Sequence, residues 1–445
     1  MKQVIRNARI VNEGQIQEGD VLLNGDRIER IGAQIEAPEA TEIDAQGQYL
    51  MPGIIDDQVH FRQPGLTHKA DIRSESRAAA AGGVTSFMDM PNVKPASLTV
   101  DLLEERYAIA SKDAAVNYSF YMGASNDNLE HVVQADPKNV CGIKIFMGSS
   151  TGNMLVDEEA VLDGLFARAQ MIIATHCEDE ARVRERSEMY RQKYGEEVPM
   201  SCHPEIRDEL ACLLSSQKAI ALANKHNARL HILHISTSDE LPLFEAGPLQ
   251  NKSITSEACV HHLWFDASGY ETHGSGIKCN PAIKDARHKP LIRQALLDDR
   301  IDVIATDHAP HTLEEKSGTY FKAPSGLPLV QHSLQVMLGI RAEDPRFDMP
   351  FIARKMSHAV ADLFDIKERG YIREGYYADL ILVDEKPRTI ERKDVLYKCG
   401  WSPLEGSTFP GGVTRTFVNG QTVFTESDGV LNLDSSPAMR LSFDR

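Results

Sequence analysis

The sequence predicts an α/β fold: a (β/α)8 TIM barrel with a small β-sandwich module formed from both chain termini. Three observations predict it. Eight short apolar runs alternate with longer, mostly amphipathic stretches between about residues 50 and 311, the rhythm of buried parallel strands and covering helices. Both ends of the chain instead alternate apolar and polar residues around turns, the period of an antiparallel sheet. Several of the eight runs also end in a residue able to bind a metal or an anion, where barrel active sites are built.

The elements follow in order. QVIRNARIV, GDVLLNG and RIERIG (3–11, 19–25, 27–32) are short strands, separated by turns such as Asn24-Gly25. The eight barrel strands are YLMPGIIDDQVHF (49–61), GVTSFMDMPN (83–92), VNYSFYMGA (116–124), CGIKIFMGSS (141–150), QMIIATHCED (170–179), LHILHIS (230–236), SITSEACVHHL (253–263) and IDVIATDHAPH (301–311). Helical segments such as 157–170 and 210–226 lie between them. The charge-dense stretch 178–197 is expected to be a solvated helical face. Strand alternation returns in GYYADLILVD, TRTFVNG and QTVFTES. The expected domains are a composite β-sandwich of 1–50 and 366–445 and a barrel of 51–365.

Composition narrows the function classes. Of 445 residues, 42% are hydrophobic and 25% charged, so a large core is available. The net charge of −17 argues against nucleic acid or an anionic membrane as the main partner. It does not exclude a small anion, which needs only a few well-placed cations. MKQVIRNARIVNEG lacks the apolar core of a signal peptide, and no run of about 18 apolar residues occurs, so no membrane span is expected. Seven dispersed cysteines without a C-x-x-C pair read as reduced thiols in a cytoplasmic protein.

The chemistry-bearing residues gather at strand ends. The first run ends in Gln58-Val59-His60-Phe61-Arg62, where alternation puts 58, 60 and 62 on one face. Asn92 ends the second run, Lys144 lies in the fourth, and His176, His234 and Asp307 end the fifth, sixth and eighth. Each has an ordinary explanation alone. A histidine in an apolar run is often a satisfied core residue, Lys144 could snorkel from a strand edge, and Asp307 could cap a helix. Arg62 could form a structural salt bridge with Asp71, and Asn92 could be a turn residue after Pro91. Burying so many charges at one end without partners is costly. A shared metal centre accounts for them together, and mixed His and carboxylate ligands suit zinc. The pair His261-His262 is expected on strand seven, with at most one ring inward. His231 is expected to be a packing residue, His308 to support the site from behind, and Glu257 to orient a neighbour.

DDQVHFRQPG (56–65), MPN (90–92), KIFMGSS (144–150), THCED (175–179), LHIS (233–236), NPAIK (280–284) and TDHAPH (306–311) occur in an order that resembles the cyclic amidohydrolases, and among them the dihydroorotases. The resemblance covers nearly the whole chain. It implies one or two zinc ions, one held by His60, Asp307 and a carboxylated Lys144, the other by the same Lys144 with His176 and His234. Asp307 would be general base and then acid. Arg62, Asn92 and His311 would bind a substrate carboxylate, Asn280 the ring amide, and the loop 323–326 would close beside the ring. The implied reaction is the reversible, zinc-dependent closure of N-carbamoyl-L-aspartate to L-dihydroorotate in pyrimidine biosynthesis, by a homodimer or larger homo-oligomer. Dihydropyrimidinases, hydantoinases and allantoinases share the ligands but not an arginine two residues after the first-strand histidine.

Gln58 departs from the pattern, which has His-x-His on strand one. A neutral amide oxygen is a poorer zinc ligand than imidazole, so the ion shared by His60 and Asp307 is expected to be weak or absent. Gln58 also opens a second reading, a non-catalytic homologue. Gln63 and Gln331 stand where acidic residues are common in the family and are expected to be peripheral.

Overall fold

The computed structural model describes residues 2–148, 153–431 and 436–445. Ser149 and Ser150 of the KIFMGSS run lie outside the described residues. Five strands open the chain: β1 (Lys2–Asn12), β2 (Gln15–Asn24), β3 (Arg27–Gly32), β4 (Thr41–Asp44) and β5 (Tyr49–Pro52). The barrel strands follow: β6 (Ile54–Val59), β7 (Val84–Asp89), β8 (Asn117–Phe120), β9 (Met122–Gly123), β10 (Ile143–Phe146), β11 (Ile173–His176), β12 (Leu230–Ile232), β13 (Ile254–Cys259) and β14 (Val303–Ala305). The C-terminal strands are β15 (Leu380–Asp384), β16 (Arg388–Thr389), β17 (Thr408–Phe409), β18 (Gly412–Val418), β19 (Gln421–Thr425) and β20 (Gly429–Val430).

Two parallel sheets make the barrel. One runs β6-β7-β8 and the other β9 to β14 in sequence order. β8 and β9 are one stave interrupted at Tyr121, so eight staves result among the described residues. The ring closes where Val59 bridges His308 and the His60 amide donates to the His308 carbonyl at 2.7 Å. Helices such as Glu159–Arg168 and Glu209–His226 connect the staves. Glu180–Tyr194 buries only Val183 along its length, as the charge density of that stretch requires. Ile55, Met88, Ala174, Leu233 and Val303 come from staves on several sides of the ring yet share one buried cluster with Phe364. Only the barrel interior brings them together, and the helix Ala359–Phe364 supplies its floor.

The two chain ends share one nine-stranded sheet in the order β20-β19-β18-β15-β5-β1-β2-β3, with β4 branching from β1. Met51 of β5 pairs antiparallel with Ile381 of β15. The alternation at both ends buries a core of its own, with Ile5, Val21, Leu50, Leu380 and Phe417 among its members. No helix among the described residues is long and apolar enough to cross a membrane.

One ion pair fixes the start of the mouth. Arg106 donates to Asp89 Oδ2 at 2.5 Å and to the Met90 carbonyl at 3.0 Å, and Asp89 Oδ1 accepts the Phe61 amide at 3.2 Å. Both side chains are fully buried. The pair therefore ties the ends of β6 and β7 together between His60 and Arg62. Arg106→Met leaves Asp89 buried without its partner and should cost about 3–5 kcal/mol of stability, read as a lowered midpoint in urea unfolding. A midpoint equal to wild type would show that the pair does not pin the mouth.

Candidate active site

The predicted residues converge at the C-terminal mouth of the barrel in three groups. In the first, His60 Nε2 and Gln58 Nε2 each lie 3.1 Å from Asp307 Oδ1. Asn92 Oδ1 is 2.7 Å from His60 Nδ1. An amide oxygen only accepts, so His60 donates from Nδ1 to Asn92, and its Nε2 faces Asp307 at the mouth. Burial alone would raise the Asp307 carboxyl, but the His60 hydrogen bond and the nearby His261 and Lys144 charges hold it below the ordinary range. It is a carboxylate at neutral pH.

In the second group, His176 Nδ1 and His234 Nε2 are 2.9 Å apart. Glu178 Oε2 takes His176 Nε2 at 2.9 Å and is itself paired with Arg207. Glu257 Oε1 accepts the His234 amide at 2.9 Å, so the neighbour that Glu257 orients is His234. Burial, the His176–His234 contact and the Lys144 charge lower the pKa of His234. Lys144 is 1% exposed and acts electrostatically on Asp307, His176 and His234. No hydrogen bond or ion pair reaches its amine among the described residues; its one described contact is the Phe146 ring at 4.5 Å. Burial pushes the amine down to about 8.

These residues fit a metal. Imidazole nitrogens, an ionised carboxylate and an unpaired amine face one mouth, and His234 Nδ1 is buried with no hydrogen-bond partner among the described residues. The Gln58 amide nitrogen donates to Asp307, while its oxygen faces Cys259 Sγ at 3.8 Å. Gln58→His should tighten zinc at the His60–Asp307 pair, measured by competition with a chromogenic chelator. Unchanged affinity would mean that position 58 does not border an ion.

The third group is cationic. Arg62 is 7% exposed and has no carboxylate within salt-bridge distance among the described residues. Its guanidinium meets the Pro310 carbonyl at 3.3 Å and His311 Nε2 at 3.2 Å. Asp71 is not its partner: Asp71 caps the helix Ile72–Ala81 and pairs with Lys398 at 2.6 Å. Lys69 Nζ lies 3.0 Å from His311 Nδ1. Burial and the charges of Arg62, Lys69 and Lys316 keep His311 neutral. The loop beside them hangs on two buried lysines. Lys316 donates to the Pro324 and Gly326 carbonyls, and Lys278 to those of Tyr320 and Ala323. Gly326 has φ 142°, and a Cβ there would stand 2.4 Å from the Ala309 carbonyl oxygen, so only glycine fits. Asn280 Oδ1 is buried with no hydrogen-bond partner among the described residues.

Three site residues hold a strained backbone. Arg62, His234 and Asp307 adopt φ of 66°, 42° and 47°, a left-handed conformation that costs a non-glycine residue on the order of 1–3 kcal/mol.

Several expectations change. The register slips between Asp56 and Val59, so Asp57 and Gln58 both reach into the barrel despite being neighbours. His231 is no plain packing residue, because its Nε2 faces Asp57 and Glu257. His261 and His262 sit on the short helix Val260–Trp264, not on a strand; both are buried, with ring centroids 4.1 Å apart. His308 supports the site by bonding Glu75 at 2.8 Å. Gln63 caps the Ile72 amide, and Gln331 bridges backbone groups near Leu396. Sequence reasoning missed Lys69, Lys278, Lys316 and the Arg106–Asp89 pair. Nothing in their spacing marks them, because long side chains reach the site from loops and a covering helix.

Fold and site together define a barrel enzyme that works with imidazoles, a carboxylate and a buried amine at its mouth. A family model described as "Amidohydrolase family" matches residues 49–423. A dihydroorotase of Halobacterium salinarum is 32% identical over 428 residues, covering 95% of this chain and 96% of that protein. An allantoinase of Desulfitobacterium hafniense is 28% identical, covering 95% of each. The solved L-hydantoinase (dihydropyrimidinase) from Arthrobacter aurescens superposes with a TM-score of 0.93 at 24% identity, over 99% of this chain and 100% of that one, a likeness of fold. The chain belongs to the amidohydrolase family, as an enzyme of the cyclic amide hydrolase class.

Proposed function

We propose that this enzyme is a dihydroorotase, interconverting N-carbamoyl-L-aspartate and L-dihydroorotate in pyrimidine biosynthesis. The observation that carries the reading is Arg62, a buried guanidinium with no carboxylate partner among the described residues, beside His311 and Lys69. An arginine fork in that setting is complementary to a ligand carboxylate, which dihydroorotate has and an unsubstituted hydantoin or dihydropyrimidine ring lacks.

In the hydrolytic direction the ring amide C–N bond breaks, the hydroxyl of water joins the carbonyl carbon, and its proton joins the nitrogen. Asp307, ionised and held by His60 and Gln58, accepts the proton from the attacking water and returns it to the leaving nitrogen. Arg62, with His311 behind it, fixes the substrate carboxylate. Asn92 keeps the His60 ring oriented, and the Asn280 amide oxygen is placed to accept from a ring N–H. The loop 323–326, pinned by Lys278 and Lys316, closes one side. His60 with Asp307, and His176 with His234, would hold one or two zinc ions with a carboxylated Lys144 common to both, supplying Lewis acidity toward the carbonyl and acidifying water. The depressed Lys144 amine supports carboxylation, which requires the free base.

The same reading includes a cytoplasmic location, supported by seven unpaired thiols, and a homodimer or larger assembly, supported by Leu210 and Leu214 exposed one turn apart on a helix. The test is a substrate panel with zinc-loaded protein. Turnover of dihydroorotate and carbamoyl-aspartate, well above that of hydantoin, dihydrouracil and allantoin, is expected. Preference for an uncharged ring would overturn the assignment, and inertness toward the whole panel would return the non-catalytic reading.

A further inference from the structure

A second constellation lies inside the barrel, one layer below the mouth. Asp57 from β6, His231 from β12 and Glu257 from β13 are each wholly buried. His231 Nε2 lies 3.4 Å from Asp57 Oδ2 and 3.4 Å from Glu257 Oε2. Apart from these 3.4 Å contacts, both Asp57 oxygens, Glu257 Oε2 and His231 Nε2 have no hydrogen-bond partner among the described residues. One ligand atom from each of the three falls within 4.8 Å of the others.

The hydrogen bonds fix the tautomer. Thr255 Oγ1 spends its proton on the Leu230 carbonyl at 3.2 Å, so at 2.9 Å from His231 Nδ1 it accepts. With Nδ1–H donating to Thr255, His231 has Nε2 left to serve a cation lying between the two carboxylates. Three electron-rich groups facing one another in a buried site require a positive charge among them. Burial opposes it, but Asp57 and Glu257 raise the His231 pKa to about 9, so protons supply that charge in the metal-free protein, across 3.4 Å contacts longer than the roughly 2.7–3.2 Å of a good N–H···O bond. A metal ion serves well: two ligands about 2.1 Å from a tetrahedral centre stand about 3.4 Å apart.

We propose that Asp57, His231 and Glu257 bind a divalent transition-metal ion at a structural site separate from the mouth. Two carboxylates neutralise a dication, and the imidazole selects a first-row metal such as zinc over magnesium or calcium. The ion would join staves on different sides of the barrel. Through Glu257 Oε1, which holds the His234 amide, it would brace the strained backbone at His234.

The experiment uses the full chain produced in zinc-supplemented medium. Anomalous diffraction on either side of the zinc edge should show a peak within about 2.2 Å of His231 Nε2 and of one oxygen from each carboxylate. Elemental analysis should find one more zinc per chain in the wild type than in Asp57→Asn, which keeps the shape and removes the charge. If that variant does not fold, Glu257→Gln provides the comparison, and the wild-type map decides alone. Absence of the peak in zinc-replete crystals, or equal zinc in wild type and a folded variant, overturns the proposal. Both readouts are independent of catalysis, so the proposal stands or falls separately from the dihydroorotase reading.

Discussion

Arg62→Ala is expected to raise KM for dihydroorotate by about 30-fold to several thousand-fold, the equivalent of about 2–5 kcal/mol for truncating one member of a buried charge pair. The pair in question forms only when substrate arrives. Without substrate, Arg62 has two polar contacts, the Pro310 carbonyl and His311, and no carboxylate. A buried charge in that state costs the fold rather than supporting it. The variant should therefore melt no lower than wild type while binding substrate far more weakly. A structural arginine would do the opposite. An unchanged KM would remove the carboxylate from the substrate and leave a neutral cyclic amide in its place.

Asp307→Asn should lower kcat by about 10²–10⁴, the range for losing a positioned general base and acid. Asparagine keeps the shape and can still accept from Gln58 and meet His60, so the fold should persist. It cannot take a proton, and the charge that opposes Lys144 is gone. The measurement is kcat across pH with zinc content determined in parallel, because Asp307 is also a proposed ligand. A variant with full zinc and wild-type kcat would place the proton transfer on another residue.

Much of this was legible beforehand, for physical reasons. Strand periodicity and the parallel barrel rule fix which end of each stave faces the mouth, so His60, Lys144, His176, His234 and Asp307 could be gathered from their positions alone. Periodicity fails where the backbone leaves it. The slip between Asp56 and Val59 lets Asp57, on the face of Ile55, and its neighbour Gln58 both reach the interior, and no alternation count anticipates that. The His261–His262 step failed because β13 passes directly into a helix at Val260, changing the period from two to 3.6. Gln58 was singled out by its residue type, but which amide atom faces Asp307 follows from the ionised carboxylate, which can only accept. Lys69 was invisible because it enters from a loop whose path the sequence does not encode locally.

The sheet shared by the two chain ends has a consequence in time. Met51 and Ile381 are partners about 330 residues apart, which at roughly 5–20 residues per second is about 15–65 s of synthesis. Throughout that interval β5 has an unpaired edge of buried-type residues, Tyr49, Leu50 and Met51, the kind of edge that recruits other chains. The emerging chain must therefore shelter its own first strands while the barrel is made, and β15 completes the sheet only near the end of translation. Premature termination before Leu380 would leave that edge permanently open, so truncated chains should aggregate through their beginning rather than their broken end.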